Sequence, residues 1–155
     1  HLDLISRAAA IFPRLILAVA RTPPKQTLFA PEQRVAIAAE AVRALSNVEV
    51  ELFDGLLVQF ARSKGVRVLV RGLRAFSDFE FEFQMALTNR KLAPDIETLF
   101  LMPSEEFSYV SSSTVRQIAE LGGDVRRFVP PCAWTALQKR LMRSDRSEAD
   151  PRHDH

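Results

Sequence analysis

Four short apolar runs, residues 15–20 (LILAVA), 48–52 (VEVEL), 66–70 (VRVLV) and 98–102 (TLFLM), recur along the chain with helical patterns between them. That alternation limits the possible folds more than any other feature of the sequence. A strand, a helix-length connection and a second strand bring the chain back to the same end of a sheet, so the strands run parallel and helices cover both faces. The expected fold class is α/β, a doubly wound parallel sheet.

The connecting segments carry matching punctuation. Leu4, Ile5, Ala8, Ala9 and Phe12 fall at helical spacing before Pro13 stops the helix, and Pro31 opens a second helix with Val35, Ala38, Val42 and Leu45 on its buried face. Residues 56–64 read as a short helix ended by Gly65. Ser77 and Glu80 have capping-box spacing at the start of a helix expected to bury Phe79, Phe83 and Leu87. Residues 111–121 and a final helix after Pro130 and Pro131, through Trp134, Leu137 and Leu141, complete the pattern. Residues 1–143 are expected to form one domain, and 144–155, almost without apolar residues, a disordered tail.

Composition narrows the function. The single cysteine, Cys132, rules out an intrachain disulfide or a cysteine-rich zinc site and fits a reducing, cytoplasmic setting. No apolar run approaches the ~20 residues that span a bilayer, so no membrane role is expected. The 21 basic and 19 acidic residues leave a net charge of +2, too small and too dispersed for a nucleic-acid partner. Only Lys25, Lys64, Lys91 and Lys139 are lysines, and the arginine richness of the rest suits bidentate recognition of phosphate or carboxylate. All three histidines, His1, His153 and His155, stand at the ends, so no Ser-His-Asp or Cys-His set can form inside the chain.

In open parallel sheets ligands bind beyond the carboxyl ends of the strands. Lys25 follows the first run, Arg71-Gly72-Leu73-Arg74 the third, and a loop leading to Ser111-Ser112-Ser113 the fourth. The two arginines are either solvated charges on a turn or an anion clamp with a glycine that lets backbone approach a ligand. The serines are either ordinary helix caps or part of a phosphate site at a helix start. Together they describe a surface for several phosphates. Neither a GxxxxGK[ST] nor a GxGxxG loop is present, which leaves phosphoryl or nucleotidyl transfer driven by positioning and charge stabilisation.

From HLDLISRA at the start through RGLR to SSSTVRQIAELGGDV, the chain resembles the bacterial phosphopantetheine adenylyltransferases over residues 1 to about 141. The resemblance implies transfer of the adenylyl group of ATP to 4'-phosphopantetheine, giving dephospho-coenzyme A and pyrophosphate. It implies that His1 ends a T/HxGH motif and, with Lys25 and Arg74, stabilises the reacting phosphates. Lys25, Leu57 and Arg71 would bind phosphopantetheine. Gly72, Leu73, Arg74, Glu82, Phe107, Ser108, Tyr109, Val110, Ser111, Ser112 and Ser113 would join His1 in binding ATP. Magnesium would arrive on the nucleotide with no dedicated protein ligands, coenzyme A would act as a feedback ligand, and the assembly would be a homohexamer.

Members of that family carry a first strand and a glycine-containing loop ahead of the histidine. This chain, which begins at His1, is therefore expected to lack the family's central strand, between residues 15–20 and 66–70. A sister nucleotidyltransferase with another acceptor, nicotinamide mononucleotide or glycerol 3-phosphate, and a non-catalytic nucleotide-binding remnant remain the alternative readings.

Overall fold

A computed structural model describes residues 1–22, 27–74 and 76–148. The elements are α1 (Leu2–Ile11), β1 (Leu15–Ala20), α2 (Pro31–Ala41), β2 (Val48–Phe53), α3 (Leu57–Ser63), β3 (Val68–Gly72), α4 (Phe76–Leu92), β4 (Glu97–Leu101), a 3-10 turn at Glu105–Phe107, α5 (Ser112–Glu120) and α6 (Pro131–Glu148). The chain divides into two compact units, His1–Tyr109 and Val110–His155.

In the first unit every strand pairing is parallel, as the alternation of strands and helices requires. β1 pairs with β2 from Leu15 opposite Val48 to Ala20 opposite Phe53, and β3 pairs with β4 from Val68 opposite Glu97 to Gly72 opposite Leu101. Among the described residues these form two separate two-stranded sheets. The division separates the pair containing β1 from the pair containing β3. The class is α/β, with a Rossmann-like alternation of helix and parallel strand.

The buried cluster of this unit gathers Val58 and Ala61 of α3, Leu69 of β3, and Ala93 and Ile96 from the turn between α4 and β4, with Leu57 and Val66 packed against it. Burial of each larger aliphatic side chain there contributes about 1.5–3 kcal/mol. β3 starts and ends two residues later than the apolar run 66–70 suggests. Gly65, at φ +66, turns the chain out of α3, and the Val66 N–H donates to the Ala61 carbonyl at 2.9 Å, so Val66 closes the helix and does not open the strand. At the other end Arg71 and Gly72 stay in the ladder, and the Leu73 N–H donates to the Leu101 carbonyl at 3.1 Å.

Helix α1 is tied down at both ends. The Asn47 side-chain amide donates to the Ala9 carbonyl at 2.8 Å and the Phe12 carbonyl at 2.9 Å, satisfying groups that a helix terminus leaves open. At the opposite end Leu4 packs over Gly72, the last residue of β3. The first turn of α1 therefore lies at the carboxyl end of β3, and its last turn beside the residue that precedes β2.

Helix α4 reverses the expected orientation. Phe79, Phe83 and Leu87 are 49%, 46% and 49% exposed, and Phe81, Met85 and Leu92 are exposed with them. The positions that turn inward, at spacings of four, four, three and four, are Asp78, Glu82, Ala86, Asn89 and Ala93. Small and polar residues occupy that side because Arg71 and Arg74 reach α4 from the strand end and bind its carboxylates. Phe79 and Phe83 stack on each other instead, with ring centroids 5.6 Å apart.

In the second unit Val115, Ala119, Val125 and Leu137 are buried. α6 runs to Glu148, so residues 144–148, expected to lack structure, continue the helix. Extending a helix already formed needs no new nucleus, and the tail residues adjoining α6 carry no proline. Residues 149–155 lie outside the described residues. Among those described, no helix is long and apolar enough to cross a membrane.

Candidate functional site

The carboxyl ends of β3 and β4 and the first turn of α1 meet in the first unit. His1 is the residue before α1. The His1 backbone lies within electrostatic reach of Asp3 and Arg74. The start of α1 and the Arg71 to Arg74 run, distant in sequence, thus share a neighbourhood at a strand end, where phosphates are bound in sheets of this kind.

Arg71 leaves the end of β3 toward α4. Its Nε donates to Glu82 Oε2 at 2.8 Å and its Nη2 to Glu82 Oε1 at 2.6 Å, a bidentate pair with the Glu82 side chain only 12% exposed. The hydrogen bonds to Glu82 raise the Arg71 pKa further, so the guanidinium is a permanent cation. Arg74 makes a parallel contact one turn earlier on α4, Nε to Asp78 Oδ2 at 3.0 Å. Sequence reasoning had set Arg71 and Glu82 apart, as ligands of two different substrates. The structure joins them, and both oxygens of Glu82 are taken up by Arg71.

The side of Gly72 where a Cβ would stand is occupied by Leu4. A Cβ built on Gly72 would overlap the Leu4 Cδ1 atom, so the glycine is what lets α1 reach the strand end. Leu73 continues the ladder beyond β3, and Leu57 opens α3 while packing on the buried cluster. Lys25 lies outside the described residues.

After β4 the chain enters the loop that leads to Phe107, Ser108 and Tyr109. Ser104 caps the Glu105–Phe107 turn, the Phe107 N–H donates to the Ser104 carbonyl at 3.0 Å, and the Ser108 hydroxyl donates to the Glu105 carbonyl at 2.8 Å. An open, shallow concavity lined by Ser104, Glu105, Glu106, Ser108 and Tyr109 lies here, with Tyr109 largely exposed.

The loop is fastened to α1 by residues that the sequence did not single out. Asp3 accepts the Ser104 N–H at 2.9 Å and the Ser104 hydroxyl at 2.7 Å, and Arg7 donates to the Met102 carbonyl. The Ser104 backbone bond, then the hydroxyl bond, hold the Asp3 carboxyl below its ordinary pKa. An acidic residue in a helix's first turn ordinarily reads as a dipole complement, and no local spacing signals a partner 101 residues away.

In the second unit Val110 leads to Ser111, which caps α5. Its hydroxyl accepts the Thr114 N–H at 3.1 Å and lies 2.9 Å from the Ser113 hydroxyl and 2.8 Å from that of Thr114. Of the two readings of the serine triplet, capping describes Ser111. Ser112 and Ser113 are exposed in the first turn of the helix.

Among the described residues, no group of three or more His, Cys, Asp or Glu side chains could hold a metal ion. Asp3, Asp78 and Glu82, three of the carboxylates at this end of the first unit, are engaged by Ser104, Arg74 and Arg71.

A parallel α/β unit that gathers cations and a helix start at its strand ends suits chemistry that works by placing phosphates and balancing their charge. Residues 1–118 match the model of the Cytidylyltransferase-like family. The chain belongs to that family.

Proposed function

We propose that this protein transfers the adenylyl group of ATP to 4'-phosphopantetheine, releasing pyrophosphate and forming dephospho-coenzyme A. The observation that supports the reading is the meeting of Arg71 to Arg74 with the first turn of α1 at the end of β3, two stretches through which the sequence resembles the phosphopantetheine adenylyltransferases. A phosphate oxygen of the acceptor attacks the α-phosphorus of ATP in line, a new P–O bond forms, and the bond from that phosphorus to the bridging oxygen of pyrophosphate breaks.

The protein's share is orientation and charge. Arg71 offers the acceptor phosphate a guanidinium whose Nε and Nη2 edge is already fixed by Glu82, so little freedom is lost when an anion docks on the remaining edge. His1, Lys25 and Arg74 would stabilise charge on the reacting phosphates. Magnesium carried in on the nucleotide would neutralise part of the phosphate charge. Coenzyme A, sharing the pantetheine arm, would compete at the acceptor site.

Incubation with ATP, magnesium and 4'-phosphopantetheine is expected to release pyrophosphate and form dephospho-coenzyme A. Nicotinamide mononucleotide and glycerol 3-phosphate, run in parallel, should give far less. A folded protein that releases pyrophosphate with one of those acceptors but not with phosphopantetheine overturns the acceptor assignment.

We also propose a homohexamer. The reading is supported by α4, which turns small and polar residues inward and six large apolar side chains outward, the pattern of a helix covered on both sides.

A further inference from the structure

We propose that Asp3 is a positioning residue for the nucleotide: by gripping Ser104 it sets the start of the segment from Phe107 onward relative to the phosphate end of the site at His1. The inference rests on the nucleotidyl-transfer reading.

Both oxygens of the Asp3 carboxylate are committed to one residue. Oδ2 takes the Ser104 N–H at 2.9 Å and Oδ1 the Ser104 hydroxyl at 2.7 Å, so Ser104 is fixed in position and in rotation. Arg7, one turn on, donates to the Met102 carbonyl and stands 4.0 Å from Asp3, which pins the two residues on either side of Pro103 to the same helix face. Ser104 in turn starts the Glu105–Phe107 turn through its carbonyl, and the Ser108 N–H bonds to Glu105 at 3.1 Å. A displacement of Ser104 therefore carries Phe107 and Ser108 with it.

Asp3 is two residues from His1 on the same first turn, and Leu4 beside it sits on Gly72 of the phosphate-binding run. One helical turn thus holds both the end expected to receive the phosphates and the anchor of the loop expected to meet the base. For in-line displacement the α-phosphate must be placed to within a fraction of an ångström, and a base held a little to one side lowers the fraction of correctly placed nucleotide. With both oxygens on Ser104, Asp3 acts through that residue. An acid that served merely the helix dipole would not need both oxygens on a residue of another loop.

The test compares Asp3→Asn, Ser104→Ala and the unsubstituted full chain in steady-state kinetics and in calorimetric titration with ATP. Asp3→Asn keeps the size of the side chain but replaces one acceptor oxygen by a donor. It is expected to raise KM for ATP on the order of tenfold, the size expected for losing hydrogen bonds to a charged group. KM for the acceptor should change by less than about twofold, and amide hydrogen exchange at Ser104 and Phe107 should quicken. Ser104→Ala, which keeps the backbone bond, should shift the same KM ratio by a smaller factor. It carries the test if Asp3→Asn does not fold.

An unchanged ratio of the two KM values, with only a lowered melting temperature, overturns the proposal. If the unsubstituted protein turns over no acceptor yet binds ATP, the transfer reading fails while the role of Asp3 is judged on ATP affinity. Equal Kd for ATP in the protein and in Asp3→Asn then overturns it.

Discussion

Arg71 and Glu82 illustrate how a residue's role is set by its neighbour. Arginine offers two edges of paired donors, and Glu82 takes the Nε–Nη2 edge at 2.8 and 2.6 Å. The remaining edge is left with a fixed direction, which a solvated arginine on a turn would not have. Asp124 and Arg126 make the same kind of contact in the second unit without any link to substrate. Arg126 donates to Asp124 through Nε at 3.0 Å and Nη2 at 2.7 Å, and its backbone N–H adds a third bond. These bonds, the side-chain ones first, lower the Asp124 carboxyl from 3.8 to about 2. A depressed carboxyl pKa favours the folded state above the unfolded value, and the contribution disappears as pH falls through the folded one. NMR titration is therefore expected to place Asp124 near pH 2, and Arg126→Gln to return it toward 3.8. An unshifted Asp124 in the unsubstituted protein would contradict the pairing.

Among the elements, α1 does the most to organise the site, and it depends on one missing side chain. Gly72 does not have a positive φ, so its glycine is required by space and not by backbone conformation. Gly72→Ala is expected to destabilise the protein by about 1 kcal/mol, the low end for an overlap, because the Leu4 methyl it meets ends a side chain that can turn away. Leu4→Ala in the same chain should recover part of that loss, with a coupling on the order of 1 kcal/mol in denaturant unfolding. Additive effects of the two substitutions would refute the close contact.

Helix α4 shows a limit of reading periodicity. Phe79, Phe83 and Leu87 form a proper apolar stripe in the sequence, a pattern that suits the core of the unit and a subunit contact alike. The side that turns in is instead Asp78, Glu82, Ala86, Asn89 and Ala93, because the cations at the end of β3 reach for carboxylates and the small residues allow close approach. Helical spacing reports that a face is apolar; it does not report what covers it.

At the scale of the whole molecule, six exposed apolar side chains on one helix are more than a solitary soluble protein ordinarily leaves in water. Sedimentation velocity is expected to show assembly consistent with a hexamer. Phe81→Glu, which places a charge on the most exposed of Phe79, Phe81 and Phe83, should shift the protein to smaller species. A monomer at all concentrations before substitution would refute the assembly.

The local pattern of the chain determined its class: apolar runs of strand length, helical spacing between them, Pro31 and Gly65 as punctuation, and arginines placed just past a run. These features act over a few residues, and their physics is that of backbone conformation and of burying one side of an element. The tertiary structure decided the rest. It divided the strands into two parallel pairs, turned α4 around, joined Arg71 to Glu82, and brought Asp3 to Ser104 across 101 positions. Each of those choices depends on which groups meet once the elements pack, and a carboxylate in a first turn looks the same in sequence whether it faces water or holds a loop from a distant part of the chain.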